Sequence, residues 1–176
     1  MKQTQPSSQH LSRRAILKGA LASALVVVAM NAVAQTAPIL DDEEGKFFAL
    51  INDYRRQNGL APLQLSPILT TSAKWMSGDM ASKNYFSHTD SLGRDAGTRL
   101  QAFGYPANVW WGENIAAGNW TASGTFDQWR NSAPHNENML NPNYKVIGIG
   151  RAYGAGATYA WYWTTDFGSY VDAGST

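Results

Sequence analysis

Two runs of β-branched and aromatic residues near the C-terminal end constrain the fold of this chain most strongly. Val146–Tyr153 and residues 158–164 are separated by a short link that contains Gly154 and Gly156. Two such runs joined by a Gly-rich turn predict an antiparallel hairpin. The preceding segments have mainly helical periodicity, and the chain contains no internal repeat. Helices followed by a strand pair predict an α+β domain in which helices cover a sheet.

Apolar spacing and end signals predict the individual elements. Helix one should run from about residue 43 to a stop at Gly59, and its apolar positions are Phe47, Leu50, Ile51 and Tyr54. Helix two should begin at Ser66-Pro67, since serine caps a helix and proline suits its first position. It should end near Asn84, and its stripe of Leu69, Ala73, Met76 and Met80 is typical of a buried face.

The second half of the chain yields shorter elements. A short helix is predicted at 95–103, closed by Gly104, and a strand at 110–118. Thr121 or Ser123 should cap another helix that runs through Trp129. Residues 85–94 and 132–140 are expected to be irregular, the second as a tight segment.

The first 34 residues have the layout of an export signal rather than of a fold element. Basic residues precede an apolar run at 20–29, and Ala32-Val33-Ala34 offers a cleavage site after Ala34. The run is shorter than the roughly 20 residues that span a bilayer, so no stable membrane anchor is expected. Residues 12–18, with Arg13 and Arg14, resemble a twin-arginine signal. We therefore expect a bacterial protein that is periplasmic or secreted, with a tether at 35–42 and one domain at 43–172.

Charge and cysteine content restrict partners and stabilisation. Without residues 1–34, the chain keeps 142 residues with 10 basic and 13 acidic side chains. It has no basic stripe, so nucleic acid is not an expected partner. It has no cysteine, so packing rather than disulfides must hold the domain together. No heptad pattern is visible, and a monomer is expected.

Glu113 is the first candidate functional residue. It follows Trp110 and Trp111 closely and precedes the apolar pair Ile115 and Ala116. A carboxylate among aromatic residues carries a desolvation cost unless a hydrogen bond, a cation or a metal meets it. Either Glu113 caps backbone amides at a strand end, or it belongs to a site whose partner lies elsewhere in the chain.

His88 and His135 are candidate partners of Glu113. They are the two histidines beyond the leader, and each is expected in an irregular segment rather than on an apolar helix face. Two neutral imidazoles and one carboxylate can bind a divalent cation, zinc above all, and leave a position open. No organic cofactor is expected. The three positions are more than 20 residues apart, so nothing local brings them together.

A series of short blocks resembles the bacterial branch of the CAP superfamily, which groups cysteine-rich secretory proteins, antigen 5 and plant pathogenesis-related proteins. In chain order, the blocks are 52–63, 86–88, 112–116, Trp129 with Ser132 and His135, 138–141, 148–150 and 162–168. The resemblance implies a three-layer α-β-α sandwich around a central, mainly antiparallel sheet. It also implies a cleft with two histidines and two acids, which in several members holds a divalent cation.

This chain occupies three of those four positions, with His88, Glu113 and His135. The second acid falls at about Ser132, so Glu113 would be the only acid of the four and an acid/base pair is put in doubt. Ala133-Pro134 also departs from the commoner Pro-Gly ahead of this histidine.

Three functions remain open at this point. A binding module would hold a small lipid, sterol or glycan in a cleft walled by Trp110 and other residues, namely Tyr85, Ser87, Trp111, Asn114 and Ser132. A hydrolase, a protease or esterase, would use a metal held by the same two histidines and Glu113 to activate water. A serine version would use Ser87 or Ser132, although neither has a Gly-x-Ser-x-Gly surround. A purely structural polar cluster is the third possibility.

Overall fold

The computed structural model describes residues 39–176. Its helices and strands, in chain order, are α1 (Asp42–Gln57), β1 (Gln64–Leu65), α2 (Pro67–Lys83), α3 (Ala96–Ala102), β2 (Trp111–Ala117), α4 (Ala122–Arg130), α5 (Ala133–Met139), β3 (Val146–Tyr153) and β4 (Trp161–Gly168). The predicted leader, with Arg13, Arg14 and the cleavage site after Ala34, lies outside the described residues. Within residues 39–176, none of the helices has the length and apolar character needed to cross a bilayer.

The four strands form one sheet in the order β1-β3-β4-β2. The pairs β3–β4 and β4–β2 are antiparallel, and the short β1 adds a parallel pair to β3. Helices α2 and α3 cover one face of the sheet, while α1, α4 and α5 cover the other. The predicted α+β class and the three-layer sandwich are confirmed.

The main helices begin and end where local chemistry predicts. Asp41 caps α1 in a capping box with Glu44, and Gly59 at φ 72° follows its end. Ser66 accepts a hydrogen bond from the Leu69 amide at the start of α2. These caps satisfy backbone amides that have no partner inside a helix.

Two glycines on β3 allow α2 to lie directly on the sheet. A Cβ at Gly148 would collide with the backbone of Leu69, and one at Gly150 would collide with the backbone of Lys74. The predicted apolar stripe of α2 therefore meets two β3 positions that have no side chain, and all four of its members are fully buried. Glycine is needed here for close approach rather than for a turn.

The opposite face holds the larger core, which is rich in aromatic side chains. Phe47 of α1 packs edge-on against Trp129 of α4 at 5.1 Å between ring centroids. Trp163 of β4 lies 5.8 Å from the same Phe47 ring. Each buried indole donates its N–H to a backbone carbonyl, Trp129 to Ile115 and Trp163 to Asn119. This packing supplies the cohesion that a chain without cysteine requires.

Side chains cover the outer edge of β2. The carbonyl of Trp111 accepts from Tyr144, that of Glu113 from Asn138, and that of Ile115 from the Trp129 indole. An open strand edge would otherwise offer these groups to another chain.

Two sequence expectations are wrong. Residues 132–140 are not irregular, because Ala133–Met139 form a helix that starts after Ser132 with Pro134 in its first turn. The second hairpin strand begins at Trp161 rather than at residue 158. Asn84, the C-cap of α2, accepts a hydrogen bond from the Thr158 amide at 2.8 Å, and Ala160 turns the chain at φ 60°. Residues 158–160 therefore form a turn held against the end of α2, and the strand begins only after it.

Candidate functional site

His88 and Glu113 meet at one end of the predicted cleft. Strand β2 fixes Glu113, and the loop after α2 and its Asn84 C-cap brings in His88. The His88 Nδ1 lies 2.7 Å from a Glu113 carboxylate oxygen. The Glu113 side chain is 2 % exposed, whereas the His88 side chain is 57 % exposed. A buried carboxylate therefore orients a surface imidazole and leaves its other ring nitrogen, Nε2, directed away from this bond.

Arg99 is the charged partner that Glu113 requires. This residue of α3 is fully buried and forms an ion pair with the second carboxylate oxygen of Glu113. Its guanidinium also donates to the backbone carbonyl of His88 at 3.3 Å, so it ties both members of the pair together. Sequence reasoning missed Arg99. The available signal was a basic residue beside Leu100 on the apolar face of a predicted helix, where a charge needs a partner.

A second acid lies beside Glu113, inside the family block 162–168 but outside the four cleft positions that the resemblance implies. Asp166 of β4 stands directly opposite Glu113 in the β2–β4 register and is fully buried. Burial raises the pKa of Asp166 well above its usual value, and the adjacent Glu113 carboxylate raises it further. The Ser72 hydroxyl and Glu113 are close enough to influence this pKa. Neither Asp166 oxygen, however, has a partner with hydrogen-bond geometry among the described residues.

His135 approaches the cleft from α5, a helix rather than the irregular segment expected. Its Nδ1 lies 2.7 Å from the Ser132 hydroxyl, and its ring stacks on Trp129 with an interplanar angle of 14°. Burial lowers the pKa of His135, and the neighbouring His88 lowers it further. The imidazole is therefore held neutral at physiological pH.

Asparagine side chains join α5 to β2. Asn114 donates to the His135 carbonyl at 3.0 Å and accepts from Asn138 at 2.8 Å. Because consecutive side chains of a strand point to opposite faces, Asn114 faces α5 while Glu113 faces α3. The two histidines are thus attached to opposite faces of β2, at one edge of the sheet.

The predicted metal set is not assembled in this arrangement. Within residues 39–176, no group of three or more His, Asp and Glu side chains is close enough to hold a metal ion. A cation at Glu113 would also have to compete with the Arg99 guanidinium for the carboxylate. These donors do not fit a divalent cation as they stand. The zinc site of His88, Glu113 and His135 therefore stays a prediction.

The remaining predicted cleft residues differ in how their polar atoms are used. The Tyr85 hydroxyl donates to Asp79 of α2 and so ties the loop to that helix, whereas the Ser87 hydroxyl accepts from the Thr89 amide within the loop. Trp111 packs on Gly97 of α3, where a Cβ would lie 2.7 Å from its ring.

Comparison with known proteins places this architecture in context. The model of the family described as "CAP: Cysteine-rich secretory protein family" matches residues 48–167. The uncharacterized protein YkwD of Bacillus subtilis (strain 168) is 39% identical over 107 residues, which are 61% of this chain and 41% of YkwD. The uncharacterized membrane protein YlbC of the same organism is 32% identical over 107 residues, 31% of its length. The chain thus spans less than half of either curated relative.

Two solved structures share the fold. An extracellular protein containing an SCP domain from Bacillus anthracis str. Ames is 27% identical, with a TM-score of 0.64, and the match covers 77% of this chain and 45% of that one. An outer surface protein from Borrelia burgdorferi also has a TM-score of 0.64 at 22% identity, over 74% of this chain and 95% of that one.

Proposed function

The chain belongs to the CAP family of cysteine-rich secretory proteins, and we propose that it is an exported binding module whose cleft takes a small ligand. The observation that carries this proposal is the exposed His88 imidazole, which is held from below by the buried pair of Glu113 and Arg99. In this proposal the ligand lies between His88 on one side and the Ser132–His135 pair on the other, at the β2 edge of the sheet.

A purely structural role explains this arrangement less well. Removing two charges from water is costly, and a buried ion pair often contributes little net stability. Here the buried Glu113 carboxylate contacts the His88 imidazole, which is more than half exposed. A purely structural cluster would not need a group at the surface. A fixed imidazole loses little entropy when it binds, which favours recognition of a ligand.

Export is part of the same proposal. The twin-arginine pattern at Arg13 and Arg14 supports it, and the relative from Bacillus anthracis is described as extracellular. Replacing both arginines with lysine should retain the protein in the cytoplasm, which cell fractionation would detect. Equal amounts of both forms outside the cytoplasm would refute this part of the proposal.

Binding is tested by following the ring signals of His88 and His135 by NMR in the purified protein. Probes are zinc chloride, phospholipid vesicles and soluble oligosaccharides, and the matched variant is His88→Gln, which replaces the imidazole with a neutral polar amide. At least one probe should shift both imidazoles in the parent and bind about tenfold more weakly to the variant. The zinc arm also tests the predicted metal site. No response to any probe would refute the binding module.

One observation favours a second candidate, an esterase-type hydrolase. The hydrogen bond of 2.7 Å between Ser132 and His135 joins a hydroxyl to a histidine with a lowered pKa. Ser132 Oγ would attack an ester carbonyl while its proton passes to His135 Nδ1, which returns it to the leaving alkoxide. A water that gives its proton to the same nitrogen would then attack the acyl-serine, and the proton would return to Ser132 Oγ as the acid leaves. Turnover of p-nitrophenyl acetate that disappears in Ser132→Ala and in His135→Gln would support this candidate, and turnover that survives both changes would reject it.

A further inference from the structure

An open groove beside the cleft presents two tryptophan rings to solvent. Residues 107–111 line it, and its volume is about 380 Å³. Trp110 is 63 % exposed and Trp111 is 41 % exposed. We call this surface the indole shelf. Trp111 is the first residue of β2, two positions before Glu113, so the shelf adjoins the site described above.

The backbone of Trp110 and the ring of Trp111 are fixed by their surroundings. The Trp110 amide donates to the Ser169 hydroxyl at 3.0 Å, and the Trp110 carbonyl accepts from the Ser169 amide at 3.0 Å. Trp111 lies against Gly97, where no side chain separates its ring from α3. A fixed backbone at Trp110 and a packed ring at Trp111 reduce the freedom that is lost on binding, which favours recognition.

The hydrogen-bonding capacity of the shelf is unused. The buried indoles of Trp129 and Trp163 each donate to a carbonyl. In contrast, no hydrogen bond of the Trp110 or Trp111 ring N–H is present within residues 39–176. Asn108 adds an amide to the lining, which contains no charged side chain. The shelf therefore combines apolar ring faces with neutral donors and acceptors.

This combination excludes several ligand classes. A charged ligand would find no opposite charge in the lining. A peptide strand would find the carbonyls of Trp111, Glu113 and Ile115 already occupied at the edge of β2. An acyl chain gains most where it is shielded from water on all sides, and this open shelf provides no such enclosure.

We propose that the indole shelf binds a neutral glycan, with one pyranose ring stacked on Trp110 and the hydroxyls of the adjacent sugars bonded to the free indole N–H groups and Asn108. The apolar C–H face of a sugar ring complements an indole, and its rim of hydroxyls complements neutral amides. The volume of the groove is near the lower end of the range for small-ligand sites, which suits a short oligosaccharide. This inference rests on the proposed binding function and specifies its ligand.

Calorimetric titration of the purified protein tests the proposal, with N-acetylglucosamine trisaccharide and cellotriose as probes and phosphatidylglycerol vesicles as the lipid arm. Trp110→Ala should weaken binding of at least one trisaccharide about tenfold, and Trp110→Phe should retain most of it. The matched control is Trp120→Ala, since Trp120 is equally exposed at 65 % but lies outside the groove. This control should bind like the parent.

Each result has a defined meaning. Loss of glycan binding in Trp110→Ala but not in Trp120→Ala supports the shelf. Unchanged glycan binding in Trp110→Ala, equal loss in both variants, no binding of either trisaccharide, or binding to vesicles alone overturns it. The NMR response of His88 and His135 separates the two proposals. If other probes shift those imidazoles while the shelf variants have no effect, the binding module stands and the glycan shelf fails.

Discussion

Replacing Asp166 with asparagine should stabilise the protein at neutral pH. Asp166 is fully buried, and neither of its oxygens has a hydrogen-bond partner among the described residues. Burial and Glu113 raise its pKa in the folded protein above the ordinary value of 3.8. Between 3.8 and the raised pKa, the folded state binds more protons than the unfolded state. The free energy of unfolding must therefore fall as pH rises through that window.

The size of this effect has an upper limit. One titrating proton changes the free energy of unfolding by at most about 1.4 kcal/mol per pH unit. Below pH 3.8, Asp166 is protonated in both states and its ionisation does not lower the free energy of unfolding. At pH 7 its ionisation can lower the free energy of unfolding by at most about 4 kcal/mol. Asparagine has nearly the same volume and does not ionise. Its advantage should be small at about pH 4 and should grow toward about pH 7.

Urea unfolding at about pH 4, 5.5 and 7 measures this difference, with Asp90→Asn as the matched control. Asp90 is also buried, but its carboxylate accepts from the amides of Leu92 and Arg94 and from the Arg94 side chain. The control should therefore destabilise the protein at pH 7, by about 1–3 kcal/mol. A loss of stability in Asp166→Asn at pH 7, or a gain that does not depend on pH, would refute the reasoning.

Three further predictions concern Arg99, His135 and the sheet glycines. Arg99→Met should lower the free energy of unfolding by about 3–5 kcal/mol because it leaves the buried Glu113 carboxylate without its buried cation. Arg130→Met, at an exposed pair, should change the free energy of unfolding by less than about 1 kcal/mol in the same urea titration. Burial and His88 lower the pKa of His135 below 6.5, the value in the unfolded chain, so the protein should lose stability as pH falls below about 6.5. His135→Gln should reduce that loss, measured as the difference between urea midpoints at about pH 8 and 5.5. Gly148→Ala should sharply lower the melting temperature, because its Cβ would collide with the backbone of α2. Gly78→Ala lies in open space within α2 and should raise the free energy of unfolding by about 1 kcal/mol. Equal effects of the two changes would contradict the close approach of α2 to the sheet.

Local signals were sufficient for the elements with strong end chemistry. Asp41 and Ser66 start their helices with side-chain caps, and the stripe of α2 is buried throughout. The α5 helix escaped prediction because its N-cap, Ser132, makes no capping bond and only Met139 of its seven residues is buried. Such a helix is stabilised by contacts with neighbouring elements, which helix propensity and apolar periodicity do not report.

The candidate site was predictable only in part. The sequence indicated that Glu113 needs a partner, and the family blocks pointed to His88 and His135. It did not reveal Arg99 or Asp166, because their proximity to Glu113 depends on how α3 packs on β2 and on the register of β2 with β4. Contacts between distant segments have no local signature.

The sequence by itself determined the α+β class, the family and the ends of α1 and α2, and it predicted that Glu113 needs a partner. These properties follow from interactions within a few residues, or from blocks that stay in order along the chain. The tertiary structure alone decided that Glu113 is bound by His88 and Arg99 and that His135 pairs with Ser132. It also decided that Trp110 and Trp111 face solvent while Trp129 and Trp163 fill the core. The physical reason is that burial and ion pairing depend on which surfaces meet, and those surfaces come from segments far apart in the chain.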